Sequence, residues 1–135
     1  MVTIELSYDG DLRVNASHEP SGEELITDAP VDNHGKGESF SPTDLVATAL
    51  GSCMLTIMGI TGQEKGIAVK GTKAKVDKHM SQDLPRRITL LDVTIDIPHS
   101  LDERELKLMR LAAETCPVAQ SINDAIVVNL TMNCN

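Results

Sequence analysis

The sequence predicts an α+β fold in which elements run βββ-α-ββ-α-α-β, and three observations carry that prediction. Period-two alternation opens the chain and returns in its second half, a long uncharged segment lies between, and an amphipathic stretch precedes a final β-branched run. No internal repeat or linker interrupts this order, so residues 1–135 are read as a single domain.

From Val2 to Tyr8 the apolar residues Val2, Ile4, Leu6 and Tyr8 fall on one side of a strand. Asp9-Gly10-Asp11 then turns the chain, and Leu12, Val14 and Ala16 alternate again, which is a hairpin. Pro20-Ser21-Gly22 is a second turn, and Glu24 to Thr27 forms a short third strand ending at Asp28-Ala29-Pro30. Residues 31–41, with Gly35, Gly37 and mostly polar neighbours, read as an irregular exposed loop of the kind that borders sites.

Ser41-Pro42-Thr43-Asp44 starts a helix: Ser41 suits the N-cap, Pro42 the first helical position, and Asp44 the positive end of the helix dipole. Leu45 to Ile60 carries no charge and is apolar on nearly every face, so this helix is expected to be buried on most sides. It is short and polar for a membrane span, being interrupted by Thr48, Gly51, Ser52, Thr56 and Gly59, and reads as a central core helix. One small chain would struggle to cover it, which predicts a homodimer.

Stretches 67–80 and 86–97 alternate around Gln82-Asp83-Leu84-Pro85 and form a second hairpin. Leu101, Leu106, Leu108, Met109, Ala112 and Ala113 recur at helical spacing over 102–115. Pro117 interrupts that helix at Cys116 and opens a short one over 117–122; Asp124 to Met132 closes the chain as a strand, with the β-branched run Ala125 to Leu130 inside it.

Composition narrows the function. A chain of 135 residues with 41% hydrophobic content is too apolar for disorder, and its net charge of −8 offers no attraction to a phosphate backbone or an anionic leaflet. The only aromatics, Tyr8 and Phe40, make no base-stacking platform, so neither nucleic acid nor membrane is an expected partner. Met1 to Leu6 alternates from the start and acidic residues follow closely, which predicts a cytoplasmic protein. Nucleotide-binding and zinc-protease signatures are missing, and His18, His34, His79 and His99 are scattered at irregular spacing; no cofactor and no metal are expected.

The cysteines remain, and an odd number at wide spacing is not a disulfide framework. Cys53, in the middle of the central helix, reads by position as either an inert small hydrophobe or a reactive thiol. Cys116 precedes a proline that opens a helix, where orphan N–H groups would favour a thiolate; a plain buried cysteine at a helix junction is the competing reading. Cys134 reads as a strand-end thiol without a role.

Ser41-Pro42-Thr43-Asp44-Leu45 followed by Ala47-Thr48-Ala49-Leu50-Gly51-Ser52-Cys53, with Thr115-Cys116-Pro117-Val118-Ala119-Gln120-Ser121 far downstream, resembles the OsmC/Ohr superfamily of osmotically induced and organic-hydroperoxide-resistance proteins. The resemblance implies an OsmC-like fold, an intertwined homodimer with antiparallel sheets wrapped around central helices. It also implies a cysteine-based thiol peroxidase acting on organic hydroperoxides or hydrogen peroxide in oxidative-stress defence. Cys53 matches the peroxidatic cysteine that becomes a sulfenic acid, and Cys116 the resolving cysteine that closes a disulfide for an external dithiol to reduce.

The family also places a cation by the peroxidatic sulfur. Arg13 is the counterpart in one branch, while the loop that supplies an Arg in another carries Asn33, His34 and Lys36 here. The family's Glu after the helix-opening proline, which orients that Arg, is replaced by Thr43, with the carboxylate Asp44 one residue on. Asp44 either substitutes for that Glu or serves only as a helix N-terminal charge, and Arg13 either activates or merely extends to solvent. The alternative to a peroxidase is a small-molecule-binding or thiol-sensing relative with little turnover.

Overall fold

The computed structural model describes all 135 residues and divides them into two compact units, Met1–Val46 and Ala47–Asn135. In the first, β1 (Ile4–Gly10), β2 (Arg13–His18) and β3 (Glu24–Asp28) form an antiparallel sheet in that order. The first turn lies one residue later than Asp9-Gly10-Asp11: Gly10 pairs with Arg13, and the two residues between, Asp11 and Leu12, take φ of 53° and 62°. Two consecutive left-handed residues match the right-handed twist of the flanking strands, so strand geometry overrides the side-chain preference of Leu12.

The alternation of β1 holds, yet its apolar side is uncovered: Val2, Ile4, Leu6 and Tyr8 are each more than half exposed. Among the apolar residues of this unit only Ala16 is buried. After β3 comes a 3-10 turn, Val31–Asn33, and a loop stitched to the strand. Asp28 N–H donates to Phe40 O at 3.1 Å, Gly37 N–H to Ala29 O at 3.2 Å, and Ser39 Oγ to Ile26 O at 2.8 Å. Gly35 is required by space, since a Cβ there would stand 1.7 Å from Ala29 O.

Helix α1 (Pro42–Lys65) starts in the first unit and continues through the second. Its start is a reciprocal box: Asp44 N–H donates to Ser41 Oγ at 3.1 Å and Ser41 N–H to Asp44 Oδ2 at 2.9 Å. By length and composition alone α1 is long and apolar enough to cross a membrane. Its buried residues Ala47, Leu50, Gly51, Met54, Met58 and Gly62 instead trace the single stripe of a helix facing a core. Burial on most sides is therefore not what one chain achieves: Thr48, Ala49, Ser52, Thr56 and Ile60 remain exposed. An apolar sequence specifies that a helix wants cover, and a single copy provides it on one side only.

In the second unit β4 (Lys73–Met80), β5 (Ile88–Ile97) and β6 (Val127–Cys134) form the other sheet. Its inner face carries Leu91, Val93, Ile95 and Ile97, all buried. Gly51 lets α1 approach β4, because a Cβ there would come within 2.9 Å of Val76 Cγ2. The expectation of antiparallel sheets needs one correction: β5 and β6 run parallel, in register from Leu90 opposite Val127 to Ile97 opposite Cys134. The crossover through α2 (Glu103–Glu114) and α3 (Pro117–Ser121) returns the chain to the same end of the sheet, as parallel pairing requires. Asp102 and Glu105 cap α2 reciprocally, and Met109, Ala112 and Ala113 are its buried face.

Candidate active site

Cys53 lies in the middle of α1, half-buried, beside the buried stripe of Leu50 and Met54. Cys116 is the N-cap of α3 and is fully buried, with extended φ and ψ of −62° and 151° because Pro117 forbids it the helical region. Its backbone joins two helices: its N–H donates to Ala113 O at 3.4 Å and its carbonyl accepts from Gln120 N–H at 3.1 Å. The Cys53 and Cys116 side chains are neighbours, near enough for Cys53 to raise the Cys116 value, and both are free thiols. Two cysteines far apart in sequence, from different helices, thus form a pair inside the second unit.

The electrostatics of Cys116 favour one of its two readings, the buried thiol at a helix junction. Burial pushes its thiol above the ordinary value, and the N–H groups of Ala119 and Val118 only partly counter this. The neighbouring Cys53 raises it further. Local helix chemistry favours a thiolate, but removal from water outweighs two backbone dipoles, so Cys116 stays protonated.

Within the first unit, Arg13 opens β2 and lies between two carboxylates. Its Nη2 is ion-paired with Glu38 and stands 3.7 Å from Asp28 Oδ2, while Asp28 Oδ2 also accepts the Glu38 backbone N–H at 3.0 Å. The Glu38 hydrogen bond and charge, with smaller contributions from Asp28 and Asp11, raise the guanidinium still further above its ordinary value. Asp44 is bonded instead to Ser41 in the helix-opening box. Glu38 and Asp28 are the residues the sequence did not disclose. Glu38 sits in an aperiodic loop, and Asp28 at a turn reads as ordinary turn chemistry; only strand register, which sets Arg13 opposite Asp28, joins them.

His34 and Lys36 lie exposed on the loop after β3. Cys134 is half-buried at the end of β6, its Sγ 4.0 Å from Leu101 O. No three His, Cys, Asp or Glu side chains gather as a metal site.

Comparison with known proteins adds to this geometry. The family model for OsmC-like protein matches residues 35–131, a span that includes both cysteines. A crystal structure from Psychrobacter arcticus, of a candidate osmotic stress induced and detoxification response protein, is 48% identical over 98% of this chain and 96% of that one, with a TM-score of 0.92. An organic hydroperoxide resistance protein OsmC from Legionella pneumophila shares the fold at 14% identity, covering 98% and 96% of the two chains with a TM-score of 0.79. One from Elizabethkingia anophelis does so at 16% identity, over 100% and 96%, again with a TM-score of 0.79. No functionally curated protein matches this sequence. With its matching family model, its two-sheet α+β architecture and its paired cysteine motifs, the chain belongs to the OsmC-like protein family.

Proposed function

We propose that this protein is a cysteine-based thiol peroxidase that reduces organic hydroperoxides or hydrogen peroxide in oxidative-stress defence. The observation that carries the reading is the Cys53–Cys116 pair: a half-buried thiol on α1 neighbouring a buried one whose value burial raises. The names of distant fold relatives as organic hydroperoxide resistance proteins support the same direction.

The Cys53 thiolate attacks the terminal peroxide oxygen. The O–O bond breaks, the leaving oxygen departs as alcohol or water after taking a proton, and Cys53 becomes a sulfenic acid. Cys116 attacks that sulfur, water leaves, and a Cys53–Cys116 disulfide closes. An external dithiol then reduces the disulfide by exchange and is itself oxidised to a disulfide. The raised Cys116 thiol is the poorer first nucleophile of the two positions, which supports giving it the second step in this reading. In this reading Arg13 keeps only the role that the family resemblance gives it, the cation that favours the Cys53 thiolate.

The working form is proposed to be a homodimer. A three-stranded sheet with one buried apolar residue cannot sustain itself, and α1 shows an uncovered side. Val2, Ile4 and Leu6 are 63%, 56% and 67% exposed, so covering each in a dimer would be worth about 1–2 kcal/mol.

The test is intact-mass analysis of the reduced protein after one equivalent of cumene hydroperoxide. Loss of two hydrogens mapped to Cys53–Cys116, with a sulfenic acid trapped on Cys53 in Cys116→Ser, is the expected result. A wild type that stays fully reduced refutes the reading.

A further inference from the structure

Arg13 has two partners of opposite character. The Glu38 carboxylate is 56% exposed, and an ion pair so open to water is weak and readily broken. The Asp28 carboxyl is 2% exposed, and a polar group so buried depends on the partners that satisfy it there. Its partners are Arg13 and the Glu38 backbone N–H, and its own N–H reaches Phe40 O. One buried carboxylate therefore ties together β2, the end of β3 and the loop that carries Glu38.

We infer that Asp28 is a positioning residue: it anchors the Arg13 guanidinium and, by gripping the Glu38 backbone, delivers the Glu38 carboxylate to the same guanidinium. Glu38 is the releasable arm of this clamp and Asp28 the fixed one. When the Glu38 ion pair opens, Arg13 stays near Asp28 rather than drifting into solvent, and the Glu38 backbone stays in place for the pair to close again. The consequence for chemistry rests on the reading of Arg13 as the cation serving Cys53; the clamp itself does not.

Three variants separate the arms. Asp28→Ala removes both the charge and the acceptor for the Glu38 N–H. Asp28→Asn keeps an acceptor of the same shape without the charge, and is the variant to rely on if the alanine form does not fold. Glu38→Gln removes only the exposed arm. Amide exchange over the loop is expected to accelerate about tenfold or more at Glu38 in Asp28→Ala, and to change by less than about threefold in Glu38→Gln.

The second readout is the rate of Cys53 oxidation by cumene hydroperoxide as a function of pH. Asp28→Asn is expected to slow it about tenfold at neutral pH and to alter its pH dependence, because the guanidinium loses its fixed anchor, with Glu38→Gln showing a smaller effect. Wild-type protection of the Glu38 amide in Asp28→Ala overturns the inference, whereas a wild-type pH profile in Asp28→Asn overturns the reading of Arg13 as the cation serving Cys53. If wild-type Cys53 does not react with the hydroperoxide, the peroxidase reading falls, and the exchange result alone decides the clamp.

Discussion

The division of labour between the cysteines predicts an order of chemical reactivity. The perturbation is a limiting dose of iodoacetamide on the reduced protein at about pH 7.5. A thiol at the ordinary value of 9.0 is about 3% thiolate there, and Cys116 lies above that value, so its thiolate fraction is lower still. It is also 0% exposed, so the reagent reaches it only when the junction of α2 and α3 opens. The two factors multiply, and Cys116 is expected to be alkylated at least about tenfold more slowly than an exposed free thiol. Cys53 and Cys134, both half-buried, do not face the second barrier to the same degree. Digestion and mass analysis at a series of times gives a rate for each cysteine. Cys116 labelling as fast as Cys53 would refute the reasoning, because it would put the more available nucleophile at the position assigned to the resolving thiol.

Three further predictions follow from the same structure. The raised Cys116 value makes stability pH-dependent in one direction: below about pH 9 the native and unfolded chains both keep the proton, whereas above it the unfolded chain ionises first, so stability falls as pH rises toward the native value. Chemical denaturation across pH 8 to 11 should show this slope, and Cys116→Ala should flatten it. Gly62→Ala places a Cβ 2.8 Å from Ile67 O and 2.9 Å from Val69 Cγ2, and the clash of about 1–3 kcal/mol with a backbone carbonyl should exceed the helix-propensity gain of about 1 kcal/mol. An unchanged or raised denaturation midpoint would contradict that. Leu6→Lys puts a charge on the uncovered side of β1 and is expected to shift the protein from dimer to monomer in analytical ultracentrifugation; a wild-type distribution would show that this side of β1 does not form the subunit contact.

Much of the architecture was legible because it depends on local spacing. The period of two in Val2 to Tyr8, the Ser41-Pro42 start, the spacing of Met109 and Ala112, and Pro117 after Cys116 each act within a few residues, and the corresponding elements are present. Where local signals compete, the reading slips. Asp9-Gly10-Asp11 is good turn sequence, yet the pairing of Gly10 with Arg13 puts the left-handed positions at Asp11 and Leu12. The parallel seam between β5 and β6 has no sequence signature, because β-branched residues suit either direction.

The candidate site divides along the same line. The residue types and motif spacing of this chain by themselves determined that Cys53 sits on an apolar helix, that Cys116 sits at a proline-imposed break, and that Asp44 lies in the first turn of α1. Tertiary structure alone decided that the two thiols are neighbours, that burial rather than helix dipoles governs Cys116, and that Arg13 is held by Glu38 and Asp28. The reason is physical. Propensity, capping and periodicity are written in neighbouring residues, whereas desolvation and ion pairing depend on which distant side chains share one space, and that is settled only when the strands register and the helices pack.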